Sequence, residues 1–180
     1  LSLHDALPIL ELVKHEKLFE FTSIYEDYLR ENTDRKFWLV NTNKLVRFYS
    51  GADGLKTGYT SEAGYCLTAT AKRGNMRIIA VVMGEPESTT RTQDVSAMLD
   101  YAFAQYELES FLSTNSILDT IIINKAQNEF TNIVPSEDVT LLNKKIDNKK
   151  NATYDLKLDN IKLPIKKGDS IGKLKVYVDD

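Results

Sequence analysis

The chain lacks most of the residues from which covalent cross-links and metal centres are built. Its 180 residues include a single cysteine, Cys66, so no internal disulfide can form. Its two histidines, His4 and His15, lie outside any metal-ligand spacing. We therefore predict neither a metal site nor a cofactor. Cys66 lies in the apolar segment 65–69, which favours a buried small hydrophobic residue over a reactive thiol.

Long apolar runs and a strong net charge are also absent. No stretch of about 18 apolar residues occurs, so no transmembrane helix is predicted, and no secretory signal is visible. The net charge of −3 gives no indication of nucleic-acid binding. However, residues 141–180 contain ten lysines, six aspartates and neither arginine nor glutamate. This basic segment is typical of a solvated face, and contact with an anionic surface is the alternative.

Both ends of the sequence read as incomplete. The first nine residues begin without Met and resemble translated sequencing-adapter sequence, so we predict that 1–9 is not native and exclude it from functional reasoning. The true protein is then expected to begin upstream. At the other end the chain stops directly after a strand-like segment, whereas a β-sandwich would normally need further strands. We therefore expect the C-terminal module to be incomplete as well.

Residues 10–108 combine a helical pattern with a run of strand-like segments. The three strands are expected at 54–60, 64–72 and 76–84, as an antiparallel meander. Arg73-Gly74-Asn75 forms the last hairpin loop and supplies the glycine that such a loop requires. Behind them, apolar residues recur at the spacing of one helix face, which predicts a helix over 91–106 packed on the sheet. The face consists of Val95, Met98, Leu99, Ala102, Phe103 and Tyr106.

The segments upstream of the meander are less regular. Residues 10–19 carry a weak helical pattern, Phe21–Tyr25 is predicted to be extended, and Phe37–Val40 reads as a short apolar strand. Asn41-Thr42-Asn43 is a polar trio suited to hydrogen bonds from side chain to backbone. The remaining residues are predicted to form a linking segment at 45–49 and a turn at 50–54.

Beyond about residue 109 the pattern becomes all-β. Ile121–Ile123, Tyr154–Leu158 and Leu174–Val178 read as strands, the last two with clean alternation, and Gly168-Asp169 supplies a turn before the final one. The sequence therefore predicts an α+β fold. An antiparallel sheet with a packed helix occupies 10–108, and a small all-β module occupies 109–180.

Lys56-Thr57-Gly58 has the most distinctive chemistry in the chain. Lys56 supplies a positive charge, Thr57 a hydroxyl that donates and accepts, and Gly58 room for another backbone. On an edge strand a peptide could add alongside, with the N–H of Tyr59 available to an oxyanion. Strict alternation puts Lys56 and Thr57 on opposite faces, so they share a site only at the strand's edge. Taken alone, the tripeptide is more typical of a solvated turn lysine.

The context of the tripeptide resembles the serine D-alanyl-D-alanine carboxypeptidases, the low-molecular-mass penicillin-binding proteins. The resemblance is near-continuous from about residue 10 to 107, and 163–172 is similar to part of that family's β-rich C-terminal domain. It implies a transpeptidase/β-lactamase-like domain and acyl transfer to a serine. The segments that carry it are 41–47, 53–60, 63–71, 77–84 and 91–106.

The resemblance also implies substrates, roles and a location. The expected partners are peptidoglycan stem peptides ending in D-Ala-D-Ala and β-lactam antibiotics, in an extracytoplasmic, secreted or envelope-associated protein. Membrane or envelope contact would run through the C-terminal module or a missing tail. Lys56 would supply positive potential, Thr57 would bind the substrate's terminal carboxylate, and Tyr59, just past Gly58, would give a backbone N–H to the oxyanion hole.

Arg91 is the remaining candidate. It falls where the family often has an arginine near the cleft, so the resemblance implies a substrate-binding role. An arginine near a helix start that pairs with Glu85 or Glu87 explains the residue equally well.

The chain departs from the family because no Ser-x-x-Lys or Ser-x-Asn precedes Lys56. Both patterns occur later, at Ser170–Lys173 and Ser113–Asn115, in the wrong order and in the β module, so we interpret them as chance matches. A nucleophile needs its base within hydrogen-bond reach, so these 180 residues alone are predicted to be inactive. Loss of the upstream half would also uncover one face of the 54–84 sheet. A class A β-lactamase-like hydrolase and a non-catalytic envelope-binding module are the alternatives.

Overall fold

The computed structural model describes residues 3–123, 130–161 and 163–179, so the first two residues of the suspected foreign peptide lie outside the described residues. The chain divides into two compact units, Leu1–Gln105 and Tyr106–Asp180. The division falls three residues before the predicted boundary at 108/109. None of the helices within the described ranges is long and apolar enough to cross a membrane.

The first unit contains three short helices and one long one, a two-stranded hairpin and a three-stranded sheet among its described residues. Its helices are α1 (Leu3–Leu12), α2 (Phe19–Thr22), α3 (Leu45–Phe48) and α4 (Ser88–Gln105), with a 3-10 turn at Glu16–Leu18. Its strands are β1 (Glu26–Leu29), β2 (Phe37–Val40), β3 (Ala52–Thr60), β4 (Gly64–Arg73) and β5 (Met76–Glu85). β1 pairs with β2, and β3-β4-β5 form the predicted antiparallel meander with β4 in the middle. Helix α1 runs through the predicted junction at 9/10, and the foreign origin of 1–9 stays a prediction.

One face of the β3–β5 sheet is closed by α4. In the register, Ala69 lies opposite both Leu55 and Ala80, and Leu67 lies opposite Val82. Arg73, which continues this alternation, holds its guanidinium 4.3 Å from the Phe103 ring of α4. The buried apolar residues of the sheet and helix meet here, and they make this face the core of the unit. They are Leu55, Leu67, Ala69, Ala71, Ala80, Val82, Val95, Leu99 and Phe103.

The other face of the sheet is covered at one end only. Arg77 lies 3.9 Å from the Phe19 ring, and the Thr22 hydroxyl donates to the Asp53 carbonyl at 2.6 Å, so the segment around α2 packs on that end. On the same face of the sheet, Ile79 and Val81 are half-buried and Lys56 is exposed. The prediction of an uncovered face therefore holds only beyond the reach of this segment.

Three sequence predictions need correction in the first unit. Phe21–Tyr25 is not extended, because Phe21 and Thr22 belong to α2, which contacts Asp53 through Thr22 and Arg77 through Phe19. The link at 45–49 is largely helical, since Leu45 is buried and its N–H is accepted by the Asn43 side chain. The strand β3 begins at Ala52, inside the predicted turn.

The second unit is all-β, as predicted. Its strands are β6 (Tyr106–Leu112), β7 (Asp119–Ile122), β8 (Phe130–Ile133), β9 (Val139–Lys144), β10 (Ala152–Leu158) and β11 (Gly172–Val178). They pair as three antiparallel ladders, β6-β9, β7-β8 and β10-β11. Tyr106 therefore begins a strand and does not end the helical stripe of α4, because its backbone pairs with Lys144.

Candidate functional site

Strand β3 carries Lys56-Thr57-Gly58 and forms an edge of its sheet. It pairs with β4 on one side, and on the other side no strand among the described residues pairs with it. An edge strand offers main-chain N–H and C=O groups to which an extended peptide can add. The local fold therefore provides the open edge that the sequence predicted.

The start of β3 is held by side chains in addition to its pairing with β4. Arg77 binds the Asp53 carboxylate through two hydrogen bonds of 2.8 Å, and the Thr22 hydroxyl donates to the Asp53 carbonyl. The Asn43 amide donates to the Gly54 carbonyl at 2.9 Å, and Asn43 is only 1% exposed. Because these bonds hold the residues just before Lys56, the position of the edge is set within the first unit.

A groove of about 900 Å³ lies between the β3 edge and residues 88–100 of α4. Four of the five predicted site residues line it: Thr57, Gly58, Tyr59 and Arg91. The fifth, Lys56, does not. The other lining residues are Thr42, Lys44, Tyr65, Ser88, Thr89, Thr92, Gln93, Ser96, Ala97 and Asp100.

Lys56 projects to the face of the sheet opposite the groove. The register puts Lys56 opposite Thr68 and Thr57 opposite Leu67, so the two neighbours alternate as predicted. Lys56 is exposed, and its Nζ donates to the Thr57 carbonyl at 2.8 Å. Its charge therefore lies beside the strand, on the face that α4 does not cover.

Arg91 is a buried cation with unused hydrogen-bonding capacity. The residue is 7% exposed, and its Nε is buried without a hydrogen-bond partner among the described residues. Nη2 makes only a long contact of 3.5 Å to the Thr92 hydroxyl. Burial lowers the pKa of the guanidinium, against the opposing influence of Cys66 and Tyr65. A buried N–H without an acceptor costs free energy that a bound anion would recover.

The alternative explanation of Arg91 does not match the geometry. Within the described parts of the chain, no carboxylate lies within 4.0 Å of its guanidinium, so Glu85 and Glu87 do not pair with it. Glu87 instead accepts from the Thr89 hydroxyl at 3.1 Å. Arg91 therefore faces the groove without an internal counter-ion.

Thr57 is linked to a residue that the sequence did not single out as part of the site. Its Oγ1 lies 2.6 Å from Oγ1 of Thr42, and either hydroxyl can be the donor. Thr42 is the central residue of the polar trio 41–43, whose composition indicated hydrogen bonding but not a role in the groove. The pairing depends on where 41–43 packs, which no local pattern specifies.

Gly58 is not required by the packing of the chain itself. A Cβ built there would meet only the Cβ of Cys66, at an ordinary distance of 3.9 Å, among the described residues. The room beside Gly58 is therefore open to another molecule. Cys66 itself is half-buried, which corrects the prediction of a buried residue: the start of β4, where Cys66 pairs with Gly58, lies beside the open edge.

The later serine patterns lie in the second unit and not at a helix start. Ser113 follows β6 and bonds with Ser116 at 3.3 Å, while Lys173 belongs to β11. A serine nucleophile needs its base within hydrogen-bond reach. Neither segment contributes to the groove, in agreement with their interpretation as chance matches.

Comparison with known proteins identifies both units. Residues 4–87 match the family described as D-alanyl-D-alanine carboxypeptidase, and residues 106–180 match the C-terminal domain of penicillin-binding protein 5. The D-alanyl-D-alanine carboxypeptidase DacF of Bacillus subtilis is 47% identical over 175 residues. The chain belongs to the D-alanyl-D-alanine carboxypeptidase family. The match over 106–180 disfavours the class A β-lactamase alternative, since it places a penicillin-binding protein module after the sheet.

Two solved structures share the fold. Penicillin-binding protein 5 from Haemophilus influenzae superposes with a TM-score of 0.63 at 26% identity, over 93% of this chain and 48% of that one. A protein from Streptococcus pneumoniae, titled a peptidoglycan synthesis regulatory factor (PBP3), superposes with a TM-score of 0.66 over 91% of this chain and 45% of that one. At 20% identity it supports the fold alone. The match to DacF covers 97% of this chain and 45% of the relative, so the chain spans about half the length of the relatives it matches.

Proposed function

We propose that these 180 residues form the Lys-Thr-Gly wall of a serine D-alanyl-D-alanine carboxypeptidase, and that the nucleophile and its base are not among them. The observation that carries the proposal is the groove beside β3, where Thr57, Gly58, Tyr59 and Arg91 meet at an open strand edge. The substrate would be a peptidoglycan stem peptide ending in D-Ala-D-Ala, and a β-lactam would occupy the same place.

The groove suits the carboxylate end of such a peptide. Thr57 offers a hydroxyl and Arg91 a buried cation with an unpartnered N–H, and neither has an anionic partner within the described residues. Charge-assisted hydrogen bonds to a carboxylate are about twice as strong as neutral ones. The terminal carboxylate would therefore bind on the α4 side of the edge, while the peptide backbone extends along β3 beside Gly58.

Lys56 supports the chemistry from the opposite side of the strand. Its exposed ammonium lies on the face that α4 leaves uncovered. A positive charge near the reacting carbonyl favours the negative charge that develops during acyl transfer. The backbone N–H of Tyr59 would contribute one donor of the oxyanion hole. The nucleophile would approach from the Lys56 face, and the carboxylate would be held on the Thr57 face.

Covalent labelling with a fluorescent penicillin tests this proposal. The full-length gene product is expected to form a covalent adduct at a serine outside the 180 residues, and the 180-residue chain is expected to form none. A specific adduct on the 180-residue chain would contradict the assignment of the nucleophile. Absence of an adduct on the folded full-length product would contradict the proposal that this product is a serine carboxypeptidase.

Gly58→Ala provides a matched test of the open edge. Because a Cβ at this position meets only Cys66 at 3.9 Å, the variant should fold as stably as the wild type. If a substrate backbone lies against Gly58, the same methyl group should slow acylation of the full-length product by about tenfold or more, from steric exclusion. Unchanged acylation would show that no backbone approaches there.

The second unit offers a candidate envelope contact. On the ladder of β10 and β11, Lys157 lies directly opposite Lys173, and neither has a carboxylate within 4.0 Å in the described ranges. Like charges placed opposite each other are destabilising, and an anionic surface would relieve them. We infer an extracytoplasmic location, with this ladder facing an anionic polymer or membrane surface of the envelope. Co-sedimentation with isolated cell walls tests it: Lys157→Glu should weaken binding, and Asp155→Lys should strengthen it.

A further inference from the structure

We infer that Thr42 is a positioning residue that makes the Thr57 hydroxyl a hydrogen-bond donor toward the substrate carboxylate. The two hydroxyl oxygens lie 2.6 Å apart and both residues line the groove. The inference rests on the proposed function, because it needs an anion bound at Thr57. It adds a residue from a loop that lies upstream of the Lys-Thr-Gly strand.

Hydrogen-bond accounting gives the direction of the contact. A hydroxyl carries one donor hydrogen and two acceptor lone pairs, whereas a carboxylate only accepts. When Thr57 donates its hydrogen to a carboxylate, its bond with Thr42 survives only if Thr42 donates to it. The substrate complex therefore contains a chain in which Thr42 donates to Thr57 and Thr57 donates to the carboxylate. Each bond in such a chain polarises the next.

The Thr42 side of the contact is held rigidly. The Asn41 amide donates to the carbonyls of Thr22 and Ile24 at 3.2 and 3.0 Å, and the Asn43 N–H donates to Asn41 Oδ1 at 2.9 Å. The Asn43 amide reaches across to Gly54. Because both neighbours of Thr42 are anchored, its hydroxyl is placed at the groove without depending on Thr57.

The Thr57 side is held by a different set of bonds. The Arg77 guanidinium binds the Asp53 carboxylate, and pairing with Leu67 on β4 fixes Thr57 in the strand. Asn43 also bonds to the start of β3, and Thr22 links Asn41 to it, so the two hydroxyls are brought together by contacts in which neither hydroxyl takes part. Loss of one hydroxyl should leave the other in place, so the contact can be tested without dismantling the edge.

The first measurement compares Thr42→Val and Thr42→Ser in the full-length gene product. Valine keeps the shape and removes the hydroxyl, and serine restores the hydroxyl. We expect Thr42→Val to lower the second-order rate of β-lactam acylation by about three- to tenfold, the worth of one neutral hydrogen bond. Thr42→Ser should recover most of that rate. A rate in Thr42→Val equal to the wild type, or a serine variant as slow as the valine variant, would overturn the inference.

A double-mutant cycle with Thr57→Val separates positioning from direct contact. If Thr42 acts through the Thr57 hydroxyl, adding Thr42→Val to Thr57→Val should cause no further loss. Additive losses would mean that Thr42 acts independently and would overturn the inference. The effect should fall on KM for a peptide with a free C-terminal carboxylate. If the wild-type product is not acylated at all, the proposed function fails, which is a different outcome from an unaffected Thr42 variant.

Discussion

The two faces of the β3–β5 sheet differ in what covers them, although the same strands supply both. On the α4 face, Ala69 is completely buried and Val82 is 7% exposed. On the opposite face, the adjacent residue Val81 is only half-buried and Lys56 is exposed. Since neighbouring residues of one strand have such different environments, the difference comes from the helix packed above and not from the strand. The α4 face is therefore the rigid half of the sheet.

This contrast divides the candidate site along one strand. Thr57 points to the rigid face, where it meets Thr42 and the groove that also holds Arg91. Lys56, one residue earlier, points to the open face. In the proposed site, the groups on the Thr57 face would bind the anion, and Lys56 would act from a face that has room for another element.

Removing the central contact of the covered face should have the largest effect on stability. Leu99 is fully buried on α4, so Leu99→Ala should lower the free energy of unfolding by about 2–5 kcal/mol, through lost burial and the cavity left behind. The adjacent Met98 is 40% exposed, and Met98→Ala serves as the control, with a cost of about 1 kcal/mol or less. Urea unfolding of both variants measures the difference. Equal costs would mean that α4 does not close this face.

Arg91 tests the anion-binding role of the rigid face. Arg91→Gln should slow β-lactam acylation of the full-length product by about ten- to hundredfold, the worth of a hydrogen bond to a charged group. Stability should change little, because the wild-type guanidinium leaves a buried N–H unsatisfied. Arg47→Gln, at an exposed position of α3 outside the groove, is the control and should keep the wild-type rate. A variant that loses stability but keeps its rate would assign Arg91 to the fold alone.

Much of the sheet and its helix was predictable because their signals are local. The alternation and the glycine of 73–75 specified the hairpin between β4 and β5, and the apolar stripe of Val95, Leu99 and Phe103 specified α4. The helix nevertheless begins at Ser88, three residues before the predicted start, and stops at Gln105. Its end was missed because Tyr106 fits the helical spacing, while its pairing with β9 is a long-range contact.

The candidate site was predictable only where a motif marks it. Lys56, Thr57, Gly58 and Tyr59 could be named from one strand, and their alternation gave the faces. Thr42 could not, because its contact with Thr57 spans 15 positions and depends on how 41–43 folds back. The helical turn at α2 was missed for the same reason: its residues bind Asp53 and Arg77, far along the chain.

A pair of neighbouring valines compares the two faces directly. Val82→Ala removes buried methyl groups from the α4 face and should cost about 1–3 kcal/mol. Val81→Ala makes the same chemical change on the half-buried face and should cost less, about 1 kcal/mol or below. Both valines lie on β5 and pair with β4, and both substitutions are Val to Ala. The difference in thermal stability between the two variants therefore measures the effect of packing by α4. The reverse order would contradict the assignment of α4 to the Val82 face.

The smallest predicted effect concerns the contact between Tyr49, which precedes β3, and Asp100 of α4. Tyr49 donates its phenol to the Asp100 carboxylate at 2.7 Å, and the Arg73 guanidinium lies 5.0 Å from its ring. Burial, together with this hydrogen bond, raises the pKa of Tyr49 to about 12. A raised pKa means that the folded chain holds the proton more tightly than the unfolded one. The stabilisation is therefore complete below about pH 10 and is lost as the pH rises through about 12.

Comparing Tyr49→Phe with the wild type across this range checks the sign. The variant should be slightly less stable at pH 8, and the gap between the two should narrow as the pH rises from 10 toward 12, because ionised Tyr49 can no longer donate to Asp100. Tyr101→Phe on α4 is the control, since Tyr101 is 60% exposed, and it should leave the stability at pH 8 nearly unchanged. A gap for Tyr49→Phe that widens with pH would mean that the phenolate, not the phenol, is the stabilised form. The hydrogen bond from Tyr49 to Asp100 would then not stabilise the fold.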